Sequence, residues 1–176
     1  MLLRTLCAFF TLLLVSCANF VPPLKPNAQV DPEKAYVYGR FSSNSHTLRM
    51  GVELAGPKLY LFEFQDKDQI TMLAVTPGTY QLSRFVYAET DGTMKGETAI
   101  VQSTLTRSMT LEAGKAYYVG DFTGEGTFNG VRMRWQVTGI DNRFAATTAE
   151  MQQKYPQFAQ LPTQQMRGIA LYMTAH

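Results

Sequence analysis

Short runs of aromatic and β-branched residues, alternating with polar ones and cut by Gly, Pro, Asn or Asp, dominate this chain from Ala35 onward. Side chains of an extended strand point alternately to opposite faces, so a period of two buries one face and wets the other. The runs Ala35–Phe41, Leu48–Leu54, Lys58–Phe64, Ile70–Thr76, Thr79–Ala88, Thr98–Thr104, Ser108–Glu112, Ala116–Phe122 and Val131–Ile140 each read as a strand. Turn chemistry falls between them, at Asn44-Ser45, Gly56-Pro57, Asp66-Lys67-Asp68, Pro77-Gly78, Asp91-Gly92, Ala113-Gly114 and Asn129-Gly130. This spacing predicts an all-β fold, an antiparallel β-sandwich of about seven to nine strands.

Two runs also state how they face. Val131, Met133, Trp135 and Val137 alternate with Arg132, Arg134, Gln136 and Thr138, so the first set is expected in the core. The Arg132 and Arg134 face is then left to solvent, or to an acidic partner or lipid headgroup. Lys58–Phe64 carries Tyr60, Phe62 and Phe64 on one face and Leu59 and Leu61 on the other. A strand apolar on both sides is central in its sheet or partly covered by another element. The remaining aromatics, Tyr36, Tyr38, Tyr80, Phe85, Tyr87, Tyr117 and Tyr118 among them, sit mostly at strand positions and are expected to pack.

Helical signal comes late. Thr147-x-x-Glu150 has the form of a capping box, and Ala149–Tyr155 is a good helical stretch stopped by Pro156. One short C-terminal helix is expected there. Gln165–Met173 stays open between a last strand, Ile169–Tyr172, and a poorly ordered tail.

The N-terminus reads differently. Arg4 precedes an uncharged run, Thr5–Val15, within the roughly 7 to 15 residues of a signal core. It is shorter than the about 20 residues that span a bilayer, and Pro22-Pro23 follow. Leu14-Val15-Ser16-Cys17 resembles the lipobox of bacterial lipoproteins position for position. That resemblance implies cleavage before Cys17, diacylglycerol on its thiol and acylation of its new amine. An ordinary secretory signal with a chance cysteine, or a buried apolar strand, is the competing reading. Two or more acyl chains anchor a protein stably where one holds only marginally. Ala18 stands where an Asp favours inner-membrane retention in that family, so the resemblance implies an outer-membrane anchor facing the periplasm. Pro22, Pro23, Pro26 and Pro32 make Ala18–Lys34 an expected extended tether. The chain thus divides into a signal over 1–16, a lipidated N-terminus and tether over 17–34, and one domain over 35–176.

Lipidation would leave little for thiol chemistry. The sequence has two cysteines; Cys7 leaves with the signal and Cys17 is lipidated, which removes disulfides and thiolate sites. Losing residues 1–16 removes one charge, Arg4, and brings the formal balance from +2 to about +1. Near neutrality gives no support to nucleic-acid binding or to a polybasic membrane patch.

Other chemistry finds no pattern. A hydrolase needs a nucleophile, base and orienter, yet the histidines are His46, in a Ser-Asn-Ser-His loop, and the terminal His176. Asp66-x-Asp68 lacks the later glycine and glutamate of a calcium loop and reads as a hairpin turn. Glu112, Asp121 and Glu125 are spread along strands and loops, where isolated surface carboxylates explain them equally well, and nothing in their spacing argues for a paired-carboxylate glycosidase. Gly120, Gly124, Gly126 and Gly130 invite a phosphate cradle, but a strand follows them where a helix is required, so a flexible hairpin connection is expected. No catalytic residue, cofactor or metal site is assigned.

Two further segments carry a likeness. Val75-Thr76-Pro77-Gly78-Thr79-Tyr80-Gln81-Leu82 resembles the Pro-Gly turn between paired strands in prealbumin-like and carboxypeptidase-regulatory-like sandwiches. Met109–Gly120, with Leu111, Gly114 and Tyr117-Tyr118-Val119, is similar to a group of bacterial lipoprotein sandwich domains of unknown function. The likeness spans about Ala35–Phe122 and implies a fold, with no catalytic residue to carry over. The resulting expectation is a non-catalytic binding, adaptor or structural module, held to the membrane through Cys17 and meeting an envelope protein or ligand. A carrier or sensor of a small lipidic ligand is the alternative, and an enzyme acting on envelope glycan or peptide comes third.

Overall fold

A computed structural model describes residues 21–67, 69–89, 95–129 and 131–174. Cys17 and its signal, Asp68, Asp91-Gly92, Gly130 and His176 lie outside the described residues. In chain order the elements are β1 (Ala35–Ser43), β2 (Leu48–Ala55), β3 (Leu59–Glu63), β4 (Ile70–Val75), β5 (Gly78–Glu89), β6 (Lys95–Ala99), β7 (Met109–Leu111), β8 (Ala116–Phe128), β9 (Met133–Asp141), α1 (Phe144–Lys154), one 3₁₀ turn (Pro156–Phe158), β10 (Thr163–Gln165) and α2 (Arg167–Thr174).

The strands form two mostly antiparallel sheets. One runs β10-β8-β1-β4, with β9 also on β8; the other runs β3-β2-β5-β6, with β7 also on β5. Wholly antiparallel pairing does not hold, because β8 lies parallel to both β1 and β10. The whole second sheet, together with β4, separates β1 from β8 in the chain, and a long crossover can return it in the same direction where a hairpin cannot.

The sheets meet through aromatic rings. Phe41 of β1 stacks at 4.6 Å on Phe62 of β3 and at 5.5 Å on Phe122 of β8, and Phe85 of β5 closes on Phe122. These side chains are at most 9% exposed. The opposite face of the β1–β8 sheet is apolar too, with Tyr36 and Tyr38 buried, and the C-terminal segments cover it. Tyr36 meets Phe158 edge-on at 4.8 Å, and Tyr118 meets Phe144 at 5.8 Å.

Several expectations shift. The stretch 21–34 is not a free tether. The Leu24 amide donates to the Met72 carbonyl on β4, Tyr155 Oη and Gln157 Nε2 donate to the carbonyls of Leu24 and Pro26, and Gly114 N donates to Lys34 O. Val21, Leu24, Ala28 and Val30 pack on the core. Prolines give up donors, but the segment still presents the groups that cover the side of β4 away from β1. β3 pairs with β2 alone, so it is an edge strand whose second apolar face is partly covered, not a central one. Thr98–Thr104 is replaced by β6 and a turn; Ile100 and Leu105 are buried and Val101 is 86% exposed. Gly120, Gly124 and Gly126 lie within β8, not in a loop. At the end, two helices replace the single one expected, since Met166 and Ile169 are buried at helical spacing and the Ala170 amide reaches Met166 O.

Candidate functional site

Charge is buried at Glu53 on β2, which pairs with Arg84, at Glu89 on β5, and as a cluster of several side chains beneath α1. Along β1 the residues Tyr36, Tyr38 and Arg40 share the face turned to the helices, while Phe41 faces the other sheet. In β8 strict alternation would send Tyr118 and Asp121 to opposite faces. The register between β1 and β8 instead jumps between the pairs Tyr38↔Tyr118 and Arg40↔Asp121, so one β1 residue opposes two on β8. This bulge holds Gly120 at φ +110°, where a side chain is strained and a Cβ would sit 2.9 Å from Ile169 Cδ1. The extra residue turns Asp121 to the same face as Tyr118 and Arg40.

A network follows. Arg40 Nη2 pairs with Glu150 Oε2 on α1, and its Nε lies 3.8 Å from Asp121 Oδ2. Thr147 Oγ1 donates to Asp121 Oδ2 at 2.8 Å. Tyr38 and Thr148 hydroxyls meet at 2.5 Å; Tyr118 Oη donates to Asp141 O at 3.1 Å and accepts from the Arg143 amide at 3.0 Å. Lys154 Nζ donates to Ile70 O at 2.7 Å. Burial raises the Asp121 carboxyl above the usual carboxylate range, against the opposing pull of the Thr147 hydroxyl, the Tyr118 phenol and the Arg40 charge. Burial also pushes Tyr38 up to about 12 and Tyr118 higher still. The Lys154 ammonium is lowered, chiefly by burial and then by Arg40. Apart from the Arg40–Asp121 contact between β1 and β8, each of these bonds joins a strand to the helix or to the segment leading into it, so the arrangement works as a latch.

The latch corrects two sequence expectations. Asp121 is a buried carboxylate, not a surface one. Thr147 and Glu150 are no capping box: α1 begins three residues earlier at Phe144, with Arg143 at its N-cap, and both side chains are diverted to Asp121 and Arg40. Their i, i+3 spacing put them on one helix face, which was the signal in the sequence.

A second region is exposed. Past Thr123, β8 continues with β9 as a hairpin, in which Trp135 packs at 4.9 Å on Tyr87 and 6.3 Å from Phe85. Gly124 is required there by close approach, since a Cβ would fall 2.8 Å from Met50 Cε and Phe64 Cδ2. At the tip, Asn129 Oδ1 accepts from the amides of Val131 and Arg132 at 3.2 and 2.8 Å, which takes both out of the ladder. β9 therefore begins at Met133. Val131 is 83% exposed, contrary to its expected place in the core. Arg132 and Arg134 are exposed as expected, Arg132 in the turn and Arg134 on the strand opposite Thr127. Arg134 and Trp135 help line a shallow surface depression of about 300 Å³.

The other candidates stay apart. His46 and Asp66 are exposed in loops, Glu112 pairs with Lys115 at 2.8 Å, and Glu125 accepts from Gln136. Among the described residues no cluster of three His, Cys, Asp or Glu has a metal-binding arrangement, and no helix is long and apolar enough to cross a membrane. No protein-family model matches the chain, and neither does any curated protein.

Proposed function

We propose that this chain is a lipid-anchored envelope protein, tied through Cys17 to the periplasmic face of an outer membrane, whose β-sandwich is a non-catalytic binding or adaptor module. The packing of 21–34 on the domain carries the reading. Residues 21–34 form a fixed strap, which suits a domain held at a set distance from a surface. Two further observations support it. The space between the sheets is filled by Phe41, Phe62, Phe85 and Phe122, which favours recognition on the outside over a ligand seated within. Buried Arg40 and Asp121 are engaged with α1, through Glu150 and Thr147, and buried Glu53 is engaged with Arg84.

The test is the mass and location of the mature chain in a diderm host. A lipidated N-terminal Cys17 with outer-membrane fractionation, and release of the Cys17→Ser variant from the membrane, are the expected results. A mature chain starting elsewhere, or an unmodified thiol, sinks the anchor. Crosslinking in intact cells then identifies the partner through its dependence on Cys17.

A further inference from the structure

The strap and the β8–β9 hairpin leave the domain at the same end. Traced backwards, the chain runs from Lys34, bonded to Gly114 at the start of β8, up along β4 to Leu24, bonded to Met72, and on to Val21 in a groove with Gln69 and Ile70. Ile70 pairs with Arg40, and Arg40 with Asp121. From Asp121, β8 runs seven residues further to Phe128, roughly 23 Å at strand rise. Between Val21 and Cys17 stand only Ala18, Asn19 and Phe20, so those two Cα atoms are at most about 14 Å apart. With the strands pointing at the membrane, the hairpin tip, about 23 Å beyond the strap's end, passes the level of Cys17 even when the link of about 14 Å is fully extended, so the tip meets the headgroups.

The tip has the chemistry for that contact. Val131 is an apolar side chain held almost wholly in water, and Arg132 and Arg134 flank it, with no acidic residue from Gly126 through Arg134. None of the ion pairs among the described residues engages either arginine. Guanidinium groups bind phosphate in bidentate fashion, and an apolar side chain beside them settles at the headgroup boundary. The contact is weak by itself, but an anchor a few residues before the strap, at the same end of the domain, raises its effective concentration. We propose that the β8–β9 tip, Val131 with Arg132 and Arg134, is a second membrane contact that seats the domain upright on anionic headgroups of the leaflet holding Cys17. The inference rests on the lipid-anchor reading and adds an orientation and a lipid-binding surface to it.

The experiment uses the full lipidated protein in vesicles of phosphatidylethanolamine and phosphatidylglycerol. With Cys17 acylated and Cys7 removed, Val131→Cys introduces a single thiol for an environment-sensitive fluorophore, and Lys58→Cys, exposed in the turn at the opposite end, is the control. Lipid-borne quenchers are expected to remove most of the signal at 131 and none at 58. Arg132→Gln with Arg134→Gln is expected to restore much of the signal at 131. Equal, unquenched signals at both positions in a chain whose lipidation is verified by mass overturn the proposal alone. An unmodified Cys17 overturns the anchor and the proposal with it.

Discussion

The two halves of β8 obey the same backbone rules and meet opposite surroundings. From Ala116 to Phe122 every residue is buried, with β1 along one edge, β10 and then β9 along the other, and helices over one face. β1 ends opposite Gly124, and from Glu125 to Phe128 the strand keeps only β9 and the rim of the second sheet, with its outward residues wetter. Arginine marks the contrast. Arg40, beside the first half, is 8% exposed and bound to Asp121 and Glu150, whereas Arg134, beside the second half, is exposed. A buried arginine needs partners because desolvation costs more than any one contact returns. An exposed one is left for recognition.

The largest break in that contrast is expected from Arg40→Met. It leaves Asp121 buried without its cation, and unfolding by urea should show a loss of about 3–5 kcal/mol. Next comes Gly120→Ala, which puts a side chain at φ +110° and against Ile169. A loss of about 1–3 kcal/mol is expected, and a neutral result would mean the bulge relaxes without cost.

Asp121→Asn sharpens the comparison through pH. The Asp121 pKa is raised on folding, so its contribution is fully present below the unfolded value of about 3.9 and is lost as pH rises through the folded value. Asn keeps a carbonyl for the Thr147 hydroxyl and does not titrate. Between about pH 4 and pH 7 the stability difference between wild type and variant should move in the variant's favour. A difference independent of pH would show that the Arg40 pairing offsets burial in full. Smallest of all, Arg132→Gln with Arg134→Gln should change stability by no more than about 0.5 kcal/mol, since both side chains are in water. A larger loss would give the hairpin arginines a structural role.

Much of the fold was legible because strands repeat a two-residue period. Leu48–Ala55, Ile70–Val75 and Gly78–Glu89 fall within a residue or two of their expected spans, and Pro156 stops α1 as read. Most of the misses share a cause, a residue whose partner is distant in the chain, and Val131 is the local exception. Val131 fits the apolar alternation of its run, yet Asn129 captures its amide and turns it outward. Thr147 and Glu150 fit a capping box, yet Asp121 and Arg40 claim them from another element. The strap looks like a linker by its prolines, yet β4 offers it an edge.

By itself the sequence determined the strand-rich class, the turn positions, the lipobox-like segment at Cys17 and the exposure of Arg132 and Arg134, because each follows from local periodicity or a short contiguous pattern. Tertiary structure alone decided that β8 runs parallel to β1, that Gly120 bulges to turn Asp121 under α1, that residues 21–34 belong to the domain, and that the strap and hairpin leave by the same end. These depend on which distant segments compete for one edge or one face, and no local pattern encodes that competition.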